Sequence, residues 1–123
     1  MITLILPMPP SVNACYANRP GFGRVKTAAY RNWLKEAGWE VVRQAPGLRP
    51  IIGDVSVDMV FERRRDRRSD LDNRCKALLD LLTKQRAWID DSQVVELRMA
   101  YATDAQVPVT GVIVTFCEAR AAA

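Results

Sequence analysis

The chain has 123 residues, of which 26% are charged, carries a formal net charge of +4 and contains no histidine. A chain of this length is expected to fold as one domain over residues 1–123, with a core that needs no disulfide or metal for support. The missing histidine excludes the serine-histidine-aspartate triad, HExxH zinc sites and histidine-based general acid–base catalysis. Catalysis by this chain would therefore use carboxylates, lysine, cysteine or a bound ion.

The cysteines and the amino terminus indicate in which cellular compartment the protein works. Cys15, Cys75 and Cys117 are odd in number, widely spaced and form no CxxC pair, which argues against a disulfide framework and a thiolate metal site. The amino terminus lacks the basic segment of a signal peptide, and no apolar run approaches the roughly 18 residues that a membrane span needs. We expect a soluble cytoplasmic protein with no membrane partner.

Positive charge is concentrated in the first two thirds of the chain. Counting Lys and Arg against Asp and Glu gives +5 over residues 1–50, +2 over residues 51–87 and −3 over residues 88–123. A basic surface attracts polyanions, and nucleic acid is the commonest such partner of an intracellular protein. A high isoelectric point also occurs in proteins that bind no nucleic acid.

Three elements and one long loop are predicted in the first half of the chain. An apolar strand at Ile2–Leu6 ends in a proline-rich segment, and a basic surface loop follows over residues 11–23. Apolar residues at helical spacing predict an amphipathic helix that is capped by Thr27 and runs to about Gln44. Alternation of apolar and polar residues over 55–61 predicts a half-buried strand.

Two tryptophans belong to this first helix. Trp33 falls on its apolar stripe, and the periodicity of the helix already explains it. We interpret Trp33 and Trp39 as core or interface residues rather than as platforms on which bases stack.

The second half predicts one helix and two strands. The helix spans about residues 71–84, is capped by Ser69 or Asp70 and buries Cys75, and strands follow at about 95–101 and 109–117. The order strand, helix, strand, helix, strand, strand predicts a small α+β (mixed α/β) layer structure with a mixed sheet and two main helices.

Two pairs of aspartates form the most informative pattern. Asp70 and Asp72 stand at the start of the second helix, and Asp90 and Asp91 stand just before the next strand. Helix capping accounts for carboxylates at a helix start but not for the like-charged pair Asp90-Asp91. Carboxylates converging from the two segments would form a hard-oxygen site for Mg²⁺, with Mn²⁺ as a substitute. A metal-bound water would then be the nucleophile, and neither histidine nor an organic cofactor would be needed.

Basic residues accompany the aspartates. Lys76 follows Asp72 by four residues, so a helix would place both on one face about 6 Å apart. Spacing alone favours an exposed ion pair between them, and the other interpretation is a lysine that contacts the scissile phosphate. An arginine run precedes the aspartates: Arg63, Arg64, Arg65, Arg67 and Arg68. This arginine run fits either a solvated loop or a surface that holds a phosphodiester backbone over metal ions. From the chemistry of these residues alone, the leading functional hypothesis is a metal-dependent phosphodiesterase.

These motifs resemble a known family. The segment Asp70-Leu71-Asp72-Asn73, the lysine at 76 and the segment Asp90-Asp91-Ser92-Gln93-Val94 are similar to those of the RusA-type Holliday junction resolvases. Pro9-Pro10-Ser11-Val12-Asn13 and Tyr16 extend the resemblance over nearly the whole chain. It implies a homodimeric endonuclease, from a bacterium or a phage, that binds four-way DNA junctions and with Mg²⁺ nicks two opposed strands symmetrically.

The resemblance also implies the catalytic residues. Asp70, Asp72 and Asp91 match the family's metal-binding carboxylates. Asp90 matches their supporting neighbour, and Lys76 matches the essential lysine. All five are predicted to be catalytic.

The implied DNA surface is basic and has one departure from the family pattern. The family typically has a basic residue where this chain has Ser69, so that phosphate contact is either missing here or supplied by Arg68 or Arg74. The residues predicted to contact DNA are Asn13, Arg19, Arg24, Lys26, Arg63, Arg64, Arg65, Arg67, Arg68, Asn73 and Arg74. Two alternatives stay open: a less selective nuclease for flaps and other branched DNA, and a dimeric junction-binding protein without turnover.

Overall fold

The computed structural model describes residues 1–63, 71–103 and 110–119. Its elements, in chain order, are β1 (Ile2–Leu6), α1 (Val12–Cys15), β2 (Tyr16–Arg19), β3 (Gly23–Lys26), α2 (Ala28–Gln44), β4 (Val55–Phe61), α3 (Cys75–Lys84), β5 (Val94–Tyr101) and β6 (Val112–Glu118). Two short 3₁₀ turns are named here by their aspartates: the Asp72 turn (Leu71–Arg74) precedes α3, and the Asp91 turn (Asp91–Gln93) precedes β5. These elements confirm the predicted α+β class.

The main sheet is mixed and has the strand order β1-β6-β4-β5. β6 pairs antiparallel with β1 and β4, whereas β4 and β5 are parallel. Alternate side chains of β4, from Val55 to Phe61, are buried because one face of the sheet packs on the core. Parallel neighbours need a crossover, and α3 lies in the connection between β4 and β5.

Helix α2 covers part of this sheet and begins as predicted. The Thr27 hydroxyl accepts a hydrogen bond from the Tyr30 backbone N–H at 3.2 Å, which caps the helix. Trp33 is buried and donates from Nε1 to the Pro7 carbonyl at 2.9 Å. Trp39 lies outside this core and is 68% exposed. Within the described residues, no helix is long and apolar enough to cross a membrane.

The segment predicted as a loop over residues 11–23 is instead regular. It contains α1 and the start of the hairpin formed by β2 and β3, in which Tyr16 pairs with Lys26 and Arg19 with Gly23. The turn requires positive φ angles of 79° at Gly21 and 73° at Gly23, which glycine adopts without steric cost. The Pro20-Gly21 pair is a turn signal, and the prediction missed it because the flanking strands have only four residues each.

The second predicted helix begins later than expected. Residues 71–74 form the Asp72 turn, and α3 starts at Cys75 with no side-chain cap. The predicted caps at Ser69 and Asp70 lie outside the described residues. Cys75 is buried, as predicted, and Leu81 joins the buried face in place of the half-buried Leu79.

Strand β5 lies at an edge of the sheet, and part of its predicted core face is exposed. Val95 is 58% and Leu97 is 37% exposed, although Leu97 pairs with the buried Val57 of β4. The strand predicted at about 95–101 is present as Val94–Tyr101, but these two apolar side chains are not covered. The register shifts between Val55 and Ser56, where Val94 pairs with Val55 and packs against the core. Val95 is the extra residue of this bulge and has no partner on β4, and Leu97 is left partly exposed at the edge of the sheet.

Gly111 provides a test of backbone packing. It has φ +78°, and a Cβ there would lie 2.2 Å from the Leu6 carbonyl oxygen, which belongs to backbone and cannot easily move. Gly47 has nearly the same φ, +74°, but nothing lies within 4 Å of its Cβ position. We expect Gly111→Ala to lower the free energy of unfolding by about 2–5 kcal/mol. Gly47→Ala should cost only about 1–2 kcal/mol, from backbone strain alone. Urea unfolding of both variants measures the difference, and equal losses would contradict this account of Gly111.

Candidate functional site

Asp72 is exposed, but its neighbours in the chain anchor the Asp72 turn to the rest of the protein. Leu71 packs against the core, and Cys75 is 7% exposed. The Arg74 guanidinium donates from Nη1 to the Pro9 carbonyl and so ties the turn to the proline-rich segment. Burial raises the pKa of the Cys75 thiol, and the nearby Asp72 carboxylate raises it further. Cys75 is therefore a neutral thiol that packs in the core, and the Asp72 carboxylate remains in solvent.

Lys76 lies one residue into α3 and points into solvent. Its Nζ is 3.4 Å from Asp80 Oδ1, one turn towards the carboxyl end, and not beside Asp72. The expected ion pair with Asp72 is thus replaced by one with Asp80. Two thirds of the lysine side chain is exposed, so this pair contributes little to stability and leaves the ammonium group accessible.

Asp90 and Asp91 are positioned by the amide of Gln93. Gln93 Oε1 accepts hydrogen bonds from the backbone N–H groups of Ile89 at 2.8 Å and Asp90 at 2.9 Å. Its Nε2 donates to three carbonyl oxygens of residues 51–53, at 2.7–3.0 Å. The Gln93 side chain therefore links residues 89–90 to residues 51–53, which precede β4. The sequence motif includes Gln93, but spacing alone gives no sign of this role.

The chain before Asp90 is fixed in the core by Trp88. This side chain is fully buried, meets the Phe116 ring edge to face at 5.7 Å and donates from Nε1 to the Thr83 hydroxyl at 2.7 Å. The Ile51 N–H donates to the Ala87 carbonyl at 2.9 Å. These contacts leave Asp90 and Asp91 as the exposed part of an otherwise anchored segment.

Asp90 closes the Asp91 turn. Its carboxylate accepts from the Ser92 hydroxyl at 2.6 Å, and this bond is the main cause that lowers the pKa of Asp90. Together with Gln93 it forms a capping box. Asp90 thus supports the turn, and Asp91, beside it, has no ion pair with any described residue.

The two acidic turns occupy opposite ends of α3. Because α3 connects the end of β4 to the start of the parallel β5, it runs opposite to both strands. The Asp72 turn leads into its amino end and also lies beside β5, and the Asp91 turn follows its carboxyl end and lies beside it. The ten residues of α3 span about 15 Å. The predicted convergence is not formed within residues 1–63, 71–103 and 110–119, where no three acidic or cysteine side chains could hold a metal ion. Asp70 lies outside them.

The predicted DNA-contacting residues fall in two groups. Arg19, Arg24 and Lys26 are exposed on the β2–β3 hairpin. Both arginines lie over aromatic rings, at 4.8 Å from the Phe22 centroid and 4.6 Å from the Tyr16 centroid. These contacts hold each guanidinium plane in one orientation and leave N–H groups on its edge for another partner.

The second group lies around the Asp72 turn. Asn73 and Arg74 belong to the turn, and Asn13 is exposed on α1, which packs beside it. Arg63 is exposed at the end of the first described range. The predicted contacts Arg64, Arg65, Arg67 and Arg68 lie outside the described residues, as does Ser69.

The role of Gln93 can be tested by truncation. Gln93→Ala removes the partner of five backbone groups, and we expect it to lower the free energy of unfolding by about 1–3 kcal/mol in urea titrations. Gln85→Ala is the matched control, because the Gln85 side chain makes no hydrogen bond with a described residue. The control should change stability by less than about 0.5 kcal/mol. A similar loss in both variants would show that Gln93 does not link the two segments.

Comparison with known proteins identifies the family. The family model for "Endodeoxyribonuclease RusA" matches residues 7–115. The chain is 34% identical over 99 residues to the crossover junction endodeoxyribonuclease RusA of Escherichia coli K12, and the match covers 79% of each chain. It is 36% identical over 101 residues to the protein of the same name from Enterobacteria phage 82, with 78% of each chain covered. The chain therefore belongs to the RusA family of endodeoxyribonucleases.

Proposed function

We propose that this protein is a divalent-metal-dependent endodeoxyribonuclease that resolves four-way DNA junctions by paired nicks. One structural observation carries the proposal: Asp72, Lys76 and Asp91 are exposed, while their neighbours Cys75 and Trp88 are buried and anchor them. Neither Asp72 nor Asp91 forms an ion pair with a described residue, so a salt bridge does not account for their anchored positions. A site that acts on a phosphodiester needs both the carboxylates and the anchoring.

The donor set fits Mg²⁺ or Mn²⁺. The carboxylate oxygens of Asp72 and Asp91 are hard ligands, and neither group makes an ion pair with a described residue. Asp70 would supply a third carboxylate. A divalent ion held there would polarise the scissile phosphate and lower the pKa of an attacking water. Lys76, displaced from its weak pair with Asp80, stabilises the negative charge that develops on the phosphate oxygens. Asp90 and Gln93 keep the Asp91 turn in place.

We further propose that the protein works as a homodimer in which β5 forms the interface. Val95 and Leu97 are exposed apolar side chains on an edge strand, next in sequence to the Asp91 turn. Two copies of β5 paired antiparallel about Leu97 would place Glu96 of each copy opposite Arg98 of the other. At the other edge of the sheet, the Gln44 amide already caps the backbone of Ile5, donating to its carbonyl at 2.7 Å and accepting from its N–H at 2.8 Å.

Such a dimer would also assemble the metal site. In the antiparallel pairing about Leu97, the Asp91 turn of each copy lies beside the end of the other copy's β5. The Asp72 turn is directed to that same end of its own sheet, because α3 runs opposite to the strands. The carboxylates that one chain keeps at opposite ends of α3 would then meet across the interface. A four-way junction has two-fold symmetry, so two such sites suit two symmetric incisions.

Substitution of single carboxylates tests the metal site. Asp72→Asn and Asp91→Asn should each lower Mg²⁺-dependent cleavage of a four-way junction more than about a hundredfold, because even outer partners of metal ligands change activity by about 10–100-fold. Junction binding in EDTA should be kept. Glu36→Gln removes an exposed carboxylate from α2 and serves as the control that cleaves like the parent. Full cleavage by either aspartate variant would contradict the assignment.

The same two variants test whether the site is shared between copies. In a mixed dimer with shared sites, one site carries both substitutions and the other carries none, so nicking of one strand should return. If each site is formed within one chain, every site in the mixture keeps one substitution and no activity returns.

The proposed interface predicts that a charge introduced on β5 disrupts the dimer, whereas the same charge on the opposite edge strand does not. Val95→Glu should convert the dimer to monomer in sedimentation velocity and abolish paired incision, because an ionised carboxylate is costly to bury in an interface. Ile5→Glu is the matched control, since Ile5 is 57% exposed, close to the 58% of Val95, but lies on the opposite edge strand. A dimer that survives Val95→Glu, or that dissociates equally with Ile5→Glu, would contradict this interface.

The substrate decides between the alternatives. Cleavage of a junction, a fork and a linear duplex is compared at matched salt, with each incision mapped on its strand. Symmetric cuts confined to the junction support a resolvase. Similar rates on all three substrates indicate a less selective nuclease, and binding without cleavage in Mg²⁺ and Mn²⁺ indicates a junction-binding protein.

A further inference from the structure

A basic groove lies between α2 and the carboxyl end of α3, and of the residues that the structure describes, Lys26 is the one that it shares with the predicted DNA contacts. The groove encloses about 590 Å³. Four cationic side chains line it: Lys26, Arg31, Lys35 and Lys84. Its lining within the described residues contains no aspartate or glutamate, and none of the four cations forms an ion pair with a described carboxylate.

The groove also has an apolar surface that is exposed to solvent. Trp39 is 68% and Val42 is 55% exposed, and both line it. On α2, the spacing of Arg31, Lys35, Trp39 and Val42 places these four residues along one stripe. This stripe therefore presents cations at one end and an indole at the other.

One of the cations is already oriented. The Arg31 guanidinium donates from Nη1 to the Lys26 carbonyl at 2.6 Å, which fixes its plane and leaves its other N–H groups for an acceptor. Lys35 and Lys84 approach from two different helices. A ligand that contacts both must extend across the groove.

We propose that this groove binds a single DNA strand, with phosphates on the lysines and an unpaired base stacked on Trp39. Lysines along a channel with an exposed aromatic ring are the combination that binds single-stranded nucleic acid. Duplex DNA would present only phosphates and sugars and leave the indole without a stacking partner. Unpairing at the centre of a branched substrate would supply such a strand, and in this respect the inference rests on the proposed function.

The position of the groove relates it to the metal site. Lys76 and Lys84 lie on the same helix, eight residues and about 12 Å apart. Lys84 marks the end of α3 that leads into the Asp91 turn. A strand held in the groove would thus pass the end of α3 from which the chain leads into the Asp91 turn.

The fluorescence of the full-length protein tests the groove without any cleavage. The other two tryptophans, Trp33 and Trp88, are buried, so quenching by a thymidine oligonucleotide in EDTA reports Trp39. We expect the oligonucleotide to quench the parent and not Trp39→Phe. Trp39→Ala should weaken binding about tenfold, as measured by anisotropy of a labelled oligonucleotide. Binding of the oligonucleotide without quenching would overturn the proposal.

Charge substitutions provide a second readout. Lys35→Gln combined with Lys84→Gln should lower the slope of log affinity against log salt by about 1.4, which is about 0.7 for each lost phosphate contact. Arg49→Gln is the control, because Arg49 is an exposed cation outside the groove. The proposal fails if a matched duplex binds the groove as well as the single strand, with equal sensitivity to these substitutions. It also fails if Trp39→Ala changes the sedimentation coefficient, since the groove would then be a contact between copies.

Junction cleavage by the parent separates the two proposals. If the parent cleaves junctions but the groove variants bind the oligonucleotide like Arg49→Gln, the groove proposal fails and the nuclease stands. If the parent cleaves no branched DNA but the oligonucleotide still quenches Trp39, the proposed function fails and the groove stands.

Discussion

The parallel pairing of β4 with β5 is the constraint on which the arrangement of this protein depends. Two parallel strands cannot be joined by a tight turn, so the chain must cross the sheet, and it does so through α3. The crossing helix places the two halves of the acidic motif at its two ends. Asp72 and Asp91, which are 19 residues apart in the sequence, are thereby separated in space. The same crossing places Lys76 near one acidic turn and Lys84 towards the other.

Because the two acidic turns are separated, each of them needs its own set of anchoring contacts. The Asp91 turn is held by Trp88 in the core and by five hydrogen bonds to the Gln93 amide. The Asp72 turn is held by Leu71 and by Arg74 on the Pro9 carbonyl. In both cases the anchors are buried or half-buried and the carboxylate is not. Under the proposed function these carboxylates would hold the metal ion, and ligands on rigid supports retain their geometry when substrate binds.

The exposed edge strand β5 relates the separation of the two acidic turns to the proposed dimer. β5 follows directly from the Asp91 turn, and its apolar side chains Val95 and Leu97 are exposed, whereas those of β4 beside it are buried. A sheet edge with exposed apolar residues invites pairing with another strand. In a protein whose acidic turns lie apart, the proposed pairing at this edge would serve both burial and the assembly of the site. Cationic surfaces, on the hairpin and in the groove, are separate from this edge and remain free to contact DNA.

The sequence by itself determined the class of fold, the capped helix after Thr27 and the buried alternation of β4, because each depends on local spacing or residue type. It also supplied the aspartates and Lys76 on which the proposed function rests. It did not determine the β2–β3 hairpin, whose strands are too short to give a periodic signal. It also could not show that Gln93 links residues 51–53 to Asp90, or that Trp39 lies beside Lys84 in a groove. Only the tertiary structure decided that β4 and β5 are parallel, so that α3 runs back along the sheet and leaves the Asp72 and Asp91 turns at its opposite ends, since strand pairing is not encoded in any one segment.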